Sequence, residues 1–215
     1  MYKLVIFDLD GTLLNTIGDL AAAGNYALSA MEMPPHTEEE YKLLVGNGIP
    51  KLVERMLPAG HSPQDEERAL SLFSAYYGDH KSDRTIPYDG LPELVRKLYK
   101  SGVICVCNTN KAHEFAGELI RAAYGSSVRE VFGAGLGYPT KPSPEAALAI
   151  MEKYGADKSE TIYVGDSNVD MMTAANAGID GCGVLWGFRS REELEAYHPA
   201  YIVENTEQLA QILLR

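Results

Sequence analysis

Short, uninterrupted apolar runs alternate with amphipathic helical stripes from about Ile86 to the end of the chain, and this alternation constrains the fold more than any other feature. The expected strands are Val103 to Cys107, Val131 to Ala134, Thr161 to Val164, Cys182 to Leu185 and Tyr201 to Val203. Helical periodicity covers Ala112 to Ala123, Pro144 to Tyr154, Val169 to Ala177 and Glu207 to Leu213, and Leu91, Leu94, Val95 and Leu98 form one more stripe that Gly102 stops. A strand apolar on both faces has to be covered on both faces. The pattern therefore predicts an α/β fold with a Rossmann-like parallel sheet between helical layers. Tyr2 to Phe7 is another such run, and it joins the same sheet because one strand cannot fold alone.

Between that first strand and Ile86 the pattern is helical throughout. Leu20, Ala27, Leu28 and Met31 recur at helical spacing up to Pro34-Pro35, which cannot continue a helix. Glu38 to Val45 reads as a second helix. Gly46-Asn47-Gly48 separates it from a third at Pro50 to Leu57, and Ser62-Pro63 starts a fourth carrying Leu70, Phe73 and Tyr77. Four helices without a strand need a small core of their own. Residues 16–81 are therefore expected as a helical cap inserted into a core of residues 1–15 and 82–215, at the carboxyl end of the strands where such sheets bind ligands.

A length of 215 residues accommodates both parts. The formal net charge of −11 disfavours a nucleic-acid or anionic-membrane surface. No apolar stretch approaches the roughly 20 residues needed to cross a bilayer, and the start lacks a signal-peptide layout. The expectation is a soluble, cytoplasmic monomer or weak homodimer. Cys105, Cys107 and Cys182 lie inside apolar runs and read as small core fillers, since Cys-x-Cys has neither redox nor zinc spacing. The five histidines are scattered without a His-x-x-x-His pair. Gly133-Ala134-Gly135-Leu136-Gly137 runs into Tyr138-Pro139 instead of a helix, which excludes a dinucleotide loop.

The strand ends carry the chemistry. The first run stops at Asp8 and Asp10, followed by Gly11 and Thr12. Residues i and i+2 of an extended chain share a face, so two carboxylates share one small volume. That suits metal binding, nucleophilic attack or acid/base work, and an Asp-Gly turn is the plainer alternative. Val103 to Cys107 leads into Asn108-Thr109-Asn110-Lys111 just before a helix, either an anion site or a simple N-cap. Lys141, in Thr140-Lys141-Pro142-Ser143-Pro144, is either solvated or neutralises a carboxylate and a phosphate oxygen at the ligand edge. The strand ending at Gly165 is followed by Asp166-Ser167-Asn168-Val169-Asp170, where Ser167 and Asp170 read as a capping box that leaves Asp166 unexplained. Asp166 beside Asp8 and Asp10 would complete an oxygen-rich site of the kind Mg²⁺ prefers, with Asp170 orienting the ligand or its waters.

Taken in order, Asp-x-Asp-Gly-Thr, a helical insert, Thr-Asn after the second strand, Lys-Pro before a helix and Gly-Asp-Ser-x-x-Asp resemble the haloacid dehalogenase superfamily of phosphohydrolases over the whole chain. Leu13-Leu14-Asn15-Thr16, Gly46-Asn47-Gly48 and Leu185-Trp186-Gly187-Phe188-Arg189 look like its phosphoglycolate phosphatase branch, although many relatives carry an acid in place of Asn15. The resemblance implies a Mg²⁺-dependent phosphomonoester hydrolase acting on a small phosphorylated metabolite, with 2-phosphoglycolate as the first choice. It implies that Asp8 forms an aspartyl-phosphate, that Asp10 is the general acid and then base, and that Thr109 and Lys141 complete the catalytic set. It further implies phosphoryl contacts from Gly11, Thr12, Thr109, Asn110 and backbone N–H groups near Leu9 and Gly11. Asn47 and Gly48 would face the substrate from the cap, and Asp8, Asp10, Asp166 and Asp170 would surround the metal. Gly46-Asn47-Gly48 reads equally as a plain turn, and Arg55 as a solvent-facing arginine. A phosphosugar mutase of the β-phosphoglucomutase kind shares this architecture. A phospho-accepting receiver switch also uses such residues, but the helical insert and Asp10 argue against it.

Overall fold

A computed structural model describes residues 1–214. Strand β1 (Leu4–Phe7) and the short β2 (Leu14–Asn15) precede four helices, α1 (Ile17–Ala30), α2 (Glu38–Leu44), α3 (Ile49–Met56) and α4 (Pro63–His80). After β3 (Ile86–Pro87) come α5 (Leu91–Lys100), β4 (Ile104–Ala112), α6 (His113–Tyr124), β5 (Glu130–Ala134), α7 (Glu145–Tyr154) and β6 (Thr161–Gly165). The chain finishes with α8 (Asn168–Ala177), β7 (Asp180–Val184), α9 (Arg191–Glu195), β8 (Tyr201–Val203) and α10 (Thr206–Leu213).

Six strands form one parallel sheet in the order β5-β4-β1-β6-β7-β8. Helices cover both of its faces, which makes it the Rossmann-like arrangement the alternation predicts. The reason is visible in β1, whose four residues are all fully buried. Val5 and Phe7 pack with Leu91, Val95 and Leu98 of α5 and Leu119 of α6, whereas Leu4 and Ile6 pack with Ala147 and Ile150 of α7 and Ala174 of α8. Later strands are added on either side of β1, so the direction of winding reverses there. A crevice opens at the carboxyl end of the strands where that happens.

The four helices between β2 and β3 bury a separate apolar cluster that includes Leu28, Tyr41, Met56, Phe73 and Tyr77, and takes in Phe188 from beyond β7. Gly24 lets Tyr41 pack against α1: a Cβ there would lie 2.2 Å from the Tyr41 hydroxyl. Reciprocal capping boxes, Thr37 with Glu40 and Ser62 with Asp65, start α2 and α4.

Local differences from the expected elements have clear causes. Helix α1 ends at Ala30 before reaching Pro34-Pro35, because Glu32 adopts φ +58° and the N–H groups of Met31 and Met33 both return to the Leu28 carbonyl. Strand β4 does not stop at Cys107. It continues through Asn108, Thr109, Asn110 and Lys111 with a register shift against β5, and these polar residues are buried. The pair β2 and β3 and helix α9 are too short to leave a periodic signal.

The chain enters and leaves the helical layer side by side, with Leu14 opposite Pro87 and Asn15 opposite Ile86. Asp19 clasps the two crossings: its buried carboxylate accepts from the N–H of Arg84 (3.0 Å), the N–H of Thr85 (2.8 Å) and the Thr85 hydroxyl (2.7 Å). Asp19→Ala strands these donors and is expected to cost about 2–3 kcal/mol of unfolding free energy. Urea denaturation followed by circular dichroism measures it, and a loss below about 0.5 kcal/mol would contradict the clasp.

Candidate active site

The carboxyl end of β1 delivers Asp8 and that of β6 delivers Asp166, while the loop between β5 and α7 brings in Lys141. Oxygen atoms of Asp8, Asp166 and Asp170 lie within 4.8 Å of one another. The Lys141 ammonium sits 2.8 Å from Asp8 Oδ1 and 2.6 Å from Asp170 Oδ1. Asp170 Oδ2 accepts from the Ser167 N–H and hydroxyl, so the capping box exists and the same carboxylate also serves the site. Asp166 is held by the Thr12 hydroxyl on Oδ1 (3.1 Å) and the Phe188 N–H on Oδ2 (2.8 Å). Its seat needs glycines. A Cβ at Gly11, where φ is +84°, would lie 2.3 Å from Asp166 Oδ2, and one at Gly187 would lie 2.2 Å from Asp166 Cβ.

Burial and the nearby Asp170 push the Asp8 carboxyl up to about 7, against the pull of Lys141. Burial, Asp170 and Asp8 also raise Asp166 well above the usual carboxylate range, opposed by the Phe188 N–H and Arg189. Burial works against the charge of Lys141, yet Asp170 and Asp8 outweigh it and hold the ammonium well above its usual range.

Asp10 stands apart from the three clustered acids. Its Oδ1 accepts from the buried Lys111 ammonium at 2.8 Å, and that ammonium also lies over the Tyr77 ring, 4.8 Å from its centroid. The Asp10 carboxylate, expected as a metal ligand, lies outside that cluster and is paired with Lys111 in this structure. Lys111 belongs to no motif that marks it as functional in the sequence. Its only signal is its place directly after Thr109-Asn110.

Thr109 lines the cleft, its hydroxyl accepting from the Lys111 N–H at 3.2 Å. Asn110 lines it too, but its side chain is committed to protein partners: Oδ1 accepts from the Lys141 N–H (2.8 Å), and Nδ2 donates to the carbonyls of Lys141 and Gly46 (both 3.1 Å). Gly11 and Thr12 stand behind the wall. The Gly11 N–H donates to the Leu14 carbonyl and the Thr12 hydroxyl to Asp166, so both shape the site from outside the cleft. From the helical layer, Leu20, Val45, Gly46, Gly48, Ile49 and Leu52 roof the cleft. Asn47 is turned away, its Oδ1 accepting from Arg55 at 2.7 Å, and Arg55 also donates to the Leu44 carbonyl. That contact accounts for both residues outside the site. Phe188 and Arg189 close the remaining wall, and the only sequence hint of them is the Leu185–Arg189 signature.

The charges of this wall explain what it can bind. Asp8, Asp10 and Asp166 face Lys111, Lys141 and Arg189, with Asp170 just behind Lys141. The acids are in excess, so a phosphate dianion needs a further cation beside it. Asp8 Oδ1 is suited to hold one: it is buried, and although Lys141 is near, no donor is aligned with it. The donor set is all carboxylate oxygen, the chemistry of Mg²⁺.

The fold and this constellation define a candidate active site of buried acids and lysines at the carboxyl edge of a doubly wound sheet. A family model described as haloacid dehalogenase-like hydrolase matches residues 5–184, and the chain belongs to that family. It is 34% identical to a phosphoglycolate phosphatase of Pseudomonas putida over 213 residues, covering 96% of this chain and 78% of the relative. Another, from Vibrio parahaemolyticus, is 29% identical with 98% and 96% coverage. The crystal structure of a phosphoglycolate phosphatase candidate from Lactobacillus delbrueckii superposes with a TM-score of 0.93 at 29% identity, covering 99% of this chain and 98% of that one. Among the described residues no helix is long and apolar enough to cross a membrane.

Lys141→Met leaves Asp8 and Asp170 buried without their counter-charge. It is expected to lower unfolding free energy by about 3–5 kcal/mol in metal-free buffer, and a neutral effect in a denaturant titration would remove Lys141 from its central place.

Proposed function

We propose that this chain is a Mg²⁺-dependent phosphomonoester hydrolase that works through an aspartyl-phosphate on Asp8, with 2-phosphoglycolate as its substrate. The observation that carries the reading is Asp8 itself: a buried strand-tip carboxylate lining the cleft, with no aligned hydrogen-bond donor on Oδ1 and its charge steadied by Lys141. The names of the Pseudomonas and Vibrio relatives support the substrate.

An Asp8 oxygen attacks the phosphorus in line with the ester oxygen, the P–O ester bond breaks, and Asp10 gives its proton to the departing oxygen to yield the free alcohol. Water then attacks the acyl phosphate while Asp10 accepts its proton, which releases inorganic phosphate and restores Asp8. Lys111 holds Asp10 at the wall of the cleft that Asp8 also lines, and Lys141 and Thr109 flank the phosphoryl oxygens. Asp8 and Asp166 would hold the metal, with Asp170 beside them in the same cluster and bound to Lys141 and Ser167. When bound, Mg²⁺ supplies positive charge next to the transferred group. Helices α1–α4 act as a cap that keeps bulk water from the acyl phosphate and contacts the leaving group.

Phosphate release is expected from 2-phosphoglycolate in Mg²⁺ and not in EDTA, measured against sugar phosphates, nucleotides and pyrophosphate. Asp8→Asn should abolish it. Asp10→Asn should slow it by ~10²–10⁴-fold, with a smaller effect on 4-nitrophenyl phosphate, whose leaving group needs no proton. Turnover that survives Asp8→Asn overturns the mechanism. Isomerisation of a sugar phosphate without phosphate release would make the chain a mutase.

A further inference from the structure

The loop that roofs the cleft is held by its carbonyls, and the hands that hold them come from the sheet side of the molecule. Arg189, just beyond β7, donates from Nη1 to the Lys42 carbonyl and from Nη2 to the Val45 carbonyl (2.6 Å), with Nε 3.3 Å from Glu193. Asn110 donates to the Gly46 carbonyl. Lys42 lies in the last turn of the seven-residue α2 and Val45 caps it, where carbonyls lack helical partners and the helix dipole favours a cation. Arg189 is nearly buried, at 9% side-chain exposure, so its donors are not replaced by water at no cost.

Each hand is tied to a catalytic loop. Phe188, next to Arg189, donates its N–H to Asp166 and places its ring in the apolar cluster of the helical layer. Asn110 brackets the Lys141 backbone on both its N–H and its carbonyl. The position of the roof and the geometry of the acids are thus set through the same few residues.

We propose that Arg189 is a positioning residue: it registers the segment Val45–Gly48 over Asp8 and, through Phe188, ties that register to Asp166. Each of the three Arg189 side-chain nitrogens has a partner in the roof or in Glu193, so it acts on the substrate through the loop it holds. Lysine cannot replace it fully, because one ammonium does not reproduce a planar fork spanning two carbonyls.

The test compares Arg189→Ala and Arg189→Lys with wild type, with Arg191→Ala as a surface control. Its kinetic arm rests on the hydrolase reading above. For Arg189→Ala, kcat/KM for 2-phosphoglycolate is expected to fall by about 10- to 100-fold. That for 4-nitrophenyl phosphate, which depends less on the cap, should fall far less, so discrimination between the two collapses. Arg189→Lys should recover part of it. Hydrogen exchange of amides 42–48 should quicken in Arg189→Ala while the sheet amides keep their protection. Equal loss on both esters together with faster exchange across the sheet would reduce Arg189 to a stabilising residue and overturn the proposal. So would unchanged discrimination and unchanged exchange. If wild type hydrolyses no phosphomonoester the hydrolase reading falls, and the exchange comparison alone decides this proposal.

Discussion

The molecule depends on one buried cation between two acids. Lys141 reaches from the loop after β5 to Asp8 at the tip of β1 and Asp170 in the first turn of α8, joining three separate parts of the chain. A lysine taken out of water is tolerable only because both carboxylates face it, and those carboxylates are tolerable only because it is there. The pairing still leaves the acids in excess. A divalent cation would offset that excess, and only with it in place would a strongly acidic chain accept a negatively charged ligand.

Around this centre the sheet does the placing and the glycines make the room. Parallel strands end together at one edge, so Asp8 and Asp166 arrive at the same height from neighbouring strands without any local signal linking them. Gly11 and Gly187 then let two turns close on Asp166, which fixes its carboxylate between the Thr12 hydroxyl and the Phe188 N–H. Precision comes from backbone packed against a charged group, with little reliance on long flexible side chains.

The sheet and the acid positions were legible in the sequence because an apolar run that ends in Asp marks both a strand and its tip. Asp8 and Asp166 could be read that way, one strand end at a time, whereas Lys141 is marked only by the Lys-Pro pair ahead of a helix. The direction in which side chains turn could not. Asp10 looks like a partner of Asp8 by spacing, but it swings to Lys111, a residue 101 positions away. Asn110 looks like a phosphate ligand by its place after Thr109, yet its amide is used up by Lys141 and Gly46. The polar end of β4 does not look like strand because strands are recognised by apolar residues. The role of Arg189 is not legible because helix α2, whose end it caps, lies nearly 150 residues earlier.

The paired crossings β2 and β3 have a consequence for how such a protein changes over time. Entry to and exit from the helical layer lie one strand spacing apart, about 5 Å. Any segment whose two ends meet at that distance could be spliced in at Asn15 and Ile86 without disturbing the register of the sheet. The catalytic floor and the roof are in that sense separately replaceable, and the carbonyl contacts of Asn110 and Arg189 are what a newly grafted roof would have to match.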